Sequence, residues 1–504
     1  ILPDNMDQNN LLVLLDEGAE WSGRCRVVAH WTRWNVSENQ ESIPFKTEEN
    51  ALINKRDYLT WVKSLGQYKV GGKTLTNSLK LFGNISFWWM TVIAVKSPYE
   101  ANYVYTVFKL RELERLYSKY KCSGLIYCGS DRSLHRTLQG WCAEMGHFYQ
   151  KYHIRKTVDS AHTKDTRKWL HKLPFVIQAF AYLIKKWYLR YRHVNSICSD
   201  KAEQLKKKSG VTIVTYFPNI DLERTRRGKY WSRYWENLHL VLDRLPFSIN
   251  WVWLYFDTTG FCFREAVSLR DICNRKDPKK HRYFLLEEFL TPEVFFKILK
   301  LYFRIYLMGL RLGRVREAFR FPGSKMNFFP SMEKAWKVSL FGNLAMDGAS
   351  QIVMFDSMAN TLPASPFGLF TWEGSPWETA LISAWKKNNS NSRKSKVLAA
   401  LHGFSRPLDL RQFSCFIGTD NTKDAMPPLP DKLAIHSNEG ISLLHEAGFP
   451  KDKIAKVEAL RYFGLKGRYH IYKKPIPSSE RTLLLIMGYS GLENRFQFQL
   501  LKEA

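Results

Sequence analysis

The stretch Phe367-Gly368-Leu369-Phe370-Thr371-Trp372-Glu373-Gly374-Ser375-Pro376-Trp377-Glu378 decides the fold class. Its first five residues are apolar or β-branched and read as a strand. The chain then turns through Glu373 and Gly374, and Pro376 suits the first turn of a helix. Strand, polar turn, helix is the repeating unit of a parallel sheet. Outward from this point the same grammar recurs. Gly124–Tyr127 reads as a buried strand running into Cys128-Gly129-Ser130-Asp131, and Leu134–Tyr149 then has a helical pattern. Leu11–Leu15, Arg26–His30, Val211–Phe217, Trp251–Phe256, Gln351–Phe355, Lys396–Leu401 and Lys432–Ile435 also read as strands. Lys109–Tyr120 and residues 230–245 read as helices, as does Ile441–Ala447 with its stop signal Gly448 and Pro450.

The expectation is an α/β protein with Rossmann-like lobes and basic helical insertions. Residues 1–150 form an N-terminal α/β domain, 151–208 a basic helical segment, and 209–472 a second α/β lobe containing a cationic helix over 291–316. Residues 473–504 form a Pro-containing linker and the start of a further lobe, with a strand at Thr482–Met487 and a helix at Glu493–Ala504. One strand and one helix cannot bury a core, so the sequence reads as stopping inside its last domain.

With 76 Lys and Arg against 47 Asp and Glu, the net charge is +29, which implies an anionic partner. The distribution narrows the choice. Residues 151–208 hold 15 basic and 4 acidic side chains around the apolar run Leu173–Ile184. That run is too short to span a bilayer, and the Lys, Arg, Trp and Tyr that follow it suit either a helix in the headgroup region or a buried helix with a basic cap. In the second cationic helix, Lys297, Lys300, Arg304 and Arg311 share a face, and Phe295, Phe296, Leu299, Phe303, Tyr306 and Leu310 fill much of the rest. The basic residues therefore accompany apolar helices, and no nucleic-acid-binding motif is present. The eight cysteines show no CxxC spacing, and no Cys/His cluster suggests zinc. A reducing, cytosolic compartment is expected.

No phosphate-binding glycine loop, zinc-protease motif or nucleophile elbow occurs. Any chemistry must come from positioned acids, bases and cations. Glu373 stands in the turn after a strand, placed to act as a base or grip a hydroxyl, with Glu378 in the first helical turn, where it either binds substrate or serves the helix dipole. His402 follows a strand and precedes Gly403, a place for a general base or a phosphate donor. Arg406 follows. His436, Ser437 and Asn438 lie between strand Lys432–Ile435 and the next helix, where Ser437 or Asn438 either caps that helix or helps hold an anion. Glu458 and Arg461 lie in Val457–Tyr462, read as a strand, and either touch a phosphorylated sugar or pair on the surface.

Longer segments carry a family resemblance. The lobe ending AIHSNEGISLLHEAGFPKDKIAKVEALRY (434–462) resembles the end of the first lobe of GT-B glycosyltransferases. YLTWVKSLGQYKVGGKTL (58–75), SFWWMTVIAVKSPY (86–99) and TWEGSPWETALISAW (371–385) resemble bacterial surface-carbohydrate biosynthesis proteins of lipopolysaccharide or capsule assembly. The resemblance implies sugar transfer from a nucleotide sugar to a lipid-linked oligosaccharide acceptor, at the cytoplasmic face of the inner membrane and without a metal or cofactor. It also implies that Ser490 and Gly491 belong to the donor side, and that the chain is inactive if most of the donor lobe lies beyond it. Glu373 is then the first candidate base and His402 the second. Arg406, His436 and Arg461 would bind phosphate or an acidic sugar. The alternative is a non-catalytic membrane-surface scaffold of a polysaccharide assembly complex, which needs the cationic helices but not Glu373.

Overall fold

The computed structural model describes residues 8–16, 18–81, 85–97, 103–152, 173–194, 209–256, 261–276, 280–388, 395–403, 406–415 and 426–461. The linker, the strand and helix expected beyond residue 472, and with them Ser490 and Gly491, lie outside these residues.

Two parallel sheets organise the chain. The first contains β1 (Leu11–Leu15), β2 (Val27–His30), β3 (Gln40–Ser42), β6 (Gly124–Cys128) and β7 (Phe148–Tyr152), in the order β3-β2-β1-β6-β7. A separate two-stranded hairpin joins β4 (Lys69–Val70) to β5 (Lys73–Thr74). The second sheet contains β8 (Ser209–Tyr216), β9 (Ser248–Leu254), β10 (His281–Leu285), β11 (Phe367–Trp372), β12 (Lys396–Leu401), β13 (Lys432–Ile435) and β14 (Ile454–Lys456). Its order is β10-β9-β8-β11-β12-β13-β14. Every pairing in both sheets is parallel.

Both sheets wind outward in two directions from their first strand. Leu12 of β1 pairs with Val27 on one side and Leu125 on the other. Val214 of β8 pairs with Val252 and with Phe370. Such a reversal opens a crevice at the carboxyl ends of the two central strands, because the connecting helices leave toward opposite faces. The second sheet therefore has its crevice between β8 and β11.

Parallel strands covered on both faces are apolar on both. In β9, Ile249, Trp251 and Trp253 pack into one core cluster, and the alternate residues Val252 and Leu254 into another. The latter cluster also takes Leu12, Leu14, Leu125 and Tyr127 from the first sheet, so one core serves both. The described residues belong to one compact unit. Through its centre runs the helix Asn343–Thr361, whose Ala345, Met346, Ala349, Ile352, Met354 and Phe355 are all buried.

Several local expectations change. Gln351–Phe355 is not a strand but the middle of this buried helix. The local run Ile352-Val353-Met354-Phe355 is wholly apolar, and such a run does not by itself distinguish a buried strand from a buried helix segment. Of residues 230–245, only Leu238–Arg244 is helical. Ser232 instead forms an antiparallel bridge to Ile220, which occupies the backbone ahead of the helix. The helix read over Leu134–Tyr149 is Arg132–Met145. Gly146 ends it in the left-handed region, and Phe148 and Tyr149 open β7. The strand expected from Val457 lies three residues earlier, at Ile454–Lys456, and the chain turns away at Glu458.

Both cationic helices form, but the second ends at Leu310 rather than running to 316: Arg311 is its C-cap and Gly313–Ala318 makes a separate 3-10 turn. Phe175–His193 covers the apolar run, and Pro292–Leu310 is capped by the Thr291 hydroxyl, which accepts from the Val294 N–H at 3.3 Å. Among the described residues no helix is long and apolar enough to cross a membrane.

Candidate functional site

Two of the candidate residues, Glu373 and His402, meet beside the crevice between β8 and β11. Tyr216 ends β8, Glu373 follows β11, and His402 follows β12. Parallel pairing of β11 with β12 sets Trp372 opposite Leu401, so the next residue of each strand meets the other. His402 Nε2 lies 3.1 Å from Glu373 Oε1. Tyr216 Oη donates to Glu373 Oε2 at 3.2 Å and accepts from Trp377 Nε1 at 2.9 Å. Arg411 Nη1 stands 3.9 Å from the same Oε2.

The turn that presents Glu373 is held from beneath by Glu378. Its two carboxyl oxygens accept from the backbone N–H groups of Glu373 (2.7 Å) and Gly374 (3.0 Å). Glu378 is buried and starts the helix Pro376–Asn388. It is therefore a brace for the turn, which corrects its assignment to substrate binding. Gly374 has φ +76°, and a Cβ there would meet the Arg411 carbonyl oxygen at 2.8 Å. Arg411 is clamped by Asp409 through Nε–Oδ1 (2.9 Å) and Nη2–Oδ2 (2.7 Å). Trp372 Nε1 donates to Gln412 Oε1 at 2.9 Å and ties the segment carrying Arg411 to β11.

Electrostatics divide the two carboxyls. Burial raises the Glu373 carboxyl, but His402, Arg411 and Tyr216 outweigh it and hold it below the ordinary carboxylate range. Burial pushes Glu378 up to about 8, against the pull of the backbone N–H groups of Glu373, Ser375 and Gly374. Burial and the neighbouring Glu373 and Glu378 raise Tyr216 well above an ordinary phenol, so it stays a donor. Burial lowers Arg411, but Asp409 and the two glutamates more than restore it, and it stays charged.

Access separates the pair as well. The Glu373 side chain is 28% exposed and that of His402 is 7% exposed. Glu373 is thus the solvent-facing end and His402 the inner end. His402 Nδ1 is buried and has no hydrogen-bond partner among the described residues. The Tyr234 ring packs edge-on against the imidazole at 4.0 Å.

The other expected residues take varied places. Arg461 stacks over Tyr234 at 5.6 Å and so joins the Glu373–His402 group at second hand. His436 Nδ1 donates to the Leu401 carbonyl at 3.2 Å, next to the end of β12. Ser437 caps the helix Asn438–Glu446, its hydroxyl accepting from the Gly440 N–H at 2.9 Å. Asn438 Oδ1 accepts from Lys456 Nζ at 2.8 Å. For these two the structure shows capping and pairing rather than an open anion site. Glu458 is exposed, with its backbone carbonyl accepting from Leu460, and Arg406 is exposed.

Tyr216, Tyr234, Trp377 and Arg411 belong to the site but were not singled out. Tyr216 had a signal, since the last residue of a strand beside the switch point faces the crevice. Arg411 had none.

Beyond Trp377 opens a cavity of about 340 Å³. Tyr182, Lys186 and Leu189 of the helix Phe175–His193 line one side, with Phe256, Glu287 and Asp347 among the other walls. The Phe256 ring packs against Tyr216 at a tilt, with centroids 5.2 Å apart, which connects the cavity to the Glu373 group. Lys186 Nζ lies 3.3 Å from Asp347 Oδ1, and Tyr182 Oη bonds the same oxygen. Among the described residues no group of three or more His, Cys, Asp and Glu could hold a metal ion.

No protein-family model matches the chain, and no curated protein matches it. Among solved structures, the chain is similar to Escherichia coli diaminopropionate ammonia lyase in its apo form. That match has 10% identity and a TM-score of 0.13 over 59% of this chain and 76% of that one, a likeness too slight to carry any argument.

Proposed function

We propose that this protein is a glycosyltransferase of GT-B-like design, moving a sugar from a nucleotide-activated donor to a hydroxyl of a lipid-linked oligosaccharide acceptor in bacterial surface-polysaccharide assembly. One observation carries the reading: the Glu373–His402 pair stands at the carboxyl ends of neighbouring parallel strands, beside the crevice where α/β sheets bind ligands. The family resemblance of residues 371–385 and 434–462 supplies the sugar chemistry, and the strand order agrees with a Rossmann-like lobe.

In this mechanism Glu373, ionised and solvent-facing, accepts the proton of the acceptor hydroxyl. The hydroxyl oxygen bonds to the anomeric carbon as the bond from that carbon to the donor phosphate breaks, and the electron pair leaves with the nucleotide. His402 and Tyr216 hold the carboxylate in place, and Arg411 keeps it ionised. General-base help of this kind contributes roughly 10²- to 10⁴-fold. The cavity beside Trp377, with aromatic walls and polar groups, offers space for the acceptor, and its size falls within the small-molecule range.

The test is turnover of a panel of nucleotide sugars by the full-length protein, read as sugar transfer and as donor hydrolysis. The proposal expects one donor to be consumed. Folded protein that consumes none of them contradicts it.

A further inference from the structure

The helices Phe175–His193 and Pro292–Leu310, a hundred residues apart in the chain, lie side by side. Both pack on the buried helix Asn343–Thr361. Phe180 meets Tyr302 (6.0 Å) and Phe303 (5.9 Å), and Trp187 meets Phe295 (5.1 Å). The reversed order of these contacts makes the helices antiparallel.

Their outer faces are apolar. On the first helix Ile177, Ala181, Ile184, Tyr188 and Tyr191 are exposed at spacings of four and three residues, a single stripe. Ile184 is 58% exposed and Tyr191 75%. On the second, Phe296, Phe303, Leu307 and Leu310 form a matching stripe, with Phe296 68% exposed. Phe180 neighbours Ile177 and Ile184 on its helix and touches Phe303, so the two stripes adjoin. A contiguous apolar patch of this kind marks a binding face.

Charge chooses the occupant. Lys185, Arg192, Lys297, Lys300, Arg304 and Arg311 stand exposed along the stripes. The first helix contains no Asp or Glu, and the second has only Glu293, which pairs with Lys297 at 2.6 Å. We propose that this two-helix face docks flat on an anionic lipid bilayer, with the apolar stripes in the acyl boundary and the basic side chains at the lipid phosphates. Neither helix could do this alone, because each stripe is narrow; side by side they make a plane. The inner side of the first helix lines the cavity that reaches Trp377, so docking would hold that cavity next to the bilayer. The proposal does not rest on sugar transfer, and a catalytically silent scaffold would dock the same way.

The test is flotation of the full-length protein with vesicles of phosphatidylcholine alone and of phosphatidylcholine with phosphatidylglycerol. Binding is expected only to the anionic vesicles. Lys300→Gln and Arg304→Gln should each weaken it roughly fivefold. The pair Ile184→Asp and Phe303→Asp should abolish it. All these positions except Phe303 and Ile184 are already polar, and those two are exposed, so circular dichroism should show folded variants. Absence of binding to anionic vesicles overturns the proposal. So does equal binding by Ile184→Asp/Phe303→Asp, or a wild-type dimer in solution that this double variant dissociates, which would make the occupant a second copy. Retention on duplex DNA at the same salt with no vesicle binding also overturns it.

Discussion

His402 Nε2 and Glu373 Oε1 lie 3.1 Å apart across the ends of two neighbouring parallel strands, whose register sets the preceding residues Leu401 and Trp372 opposite each other. β11 and β12 pair without a bulge up to Trp372 and Leu401, so whatever follows each strand meets the other. The pair is a property of the sheet and not of a wandering loop. Its rigidity suits a site that must hold an acceptor hydroxyl within hydrogen-bond reach.

The turn that carries Glu373 depends on Gly374. Its positive φ disfavours any side chain, and a Cβ would meet the Arg411 backbone at 2.8 Å. Gly374→Ala should lower stability by about 1–3 kcal/mol, measured by urea unfolding. An unchanged urea midpoint would show that the turn tolerates the left-handed region with a side chain in place.

Glu378 gives a pH signature of definite sign. Its carboxyl is raised from 4.5 to about 8 by burial, so the folded protein holds a proton that the unfolded chain has released between those values. The stability contributed by this group is therefore fully present below pH 4.5 and is lost as pH rises toward 8. Glu378→Gln should flatten the fall in urea midpoint across that window relative to wild type. A variant with the same slope as wild type would place the titration elsewhere.

Tyr216 connects Glu373 to Trp377 through one hydroxyl. Tyr216→Phe keeps the ring packed against Phe256 and removes both bonds. It leaves the Trp377 N–H without its acceptor, at a cost of about 1–3 kcal/mol in stability. Transfer should also slow, because one of the donors holding the carboxylate is gone. Thermal melting and kcat measured on the same preparation check the two effects. A variant as stable and as active as wild type would remove Tyr216 from the site.

The sequence was legible where its period was clean. The strand Phe367–Thr371, the turn at Glu373 and the helix from Pro376 form as their residue types dictate, and so do the two cationic helices, apart from the early end of the second at Leu310. The centre of the helix Asn343–Thr361 reads as a strand because Ile352-Val353-Met354-Phe355 is a short, wholly apolar run with no period of its own. Glu373 and His402 were readable one at a time as strand-end residues; their contact was not, because it needs the order of strands in the sheet. Arg411 and Tyr234 reach the site from segments with no local mark of chemistry. For Glu378 the sequence offers substrate binding or service to the helix dipole; the brace for the turn shows only in the two backbone N–H groups on its carboxyl.

The most direct test of the account is kcat for sugar transfer by wild type, Glu373→Gln, His402→Ala and the double variant, with the donor that the wild type consumes. The account predicts a fall of roughly 10²- to 10⁴-fold for Glu373→Gln, little change in KM for the donor, and a double variant no slower than the worse single one, since the two residues act as a unit. Turnover by Glu373→Gln at the wild-type rate would contradict it.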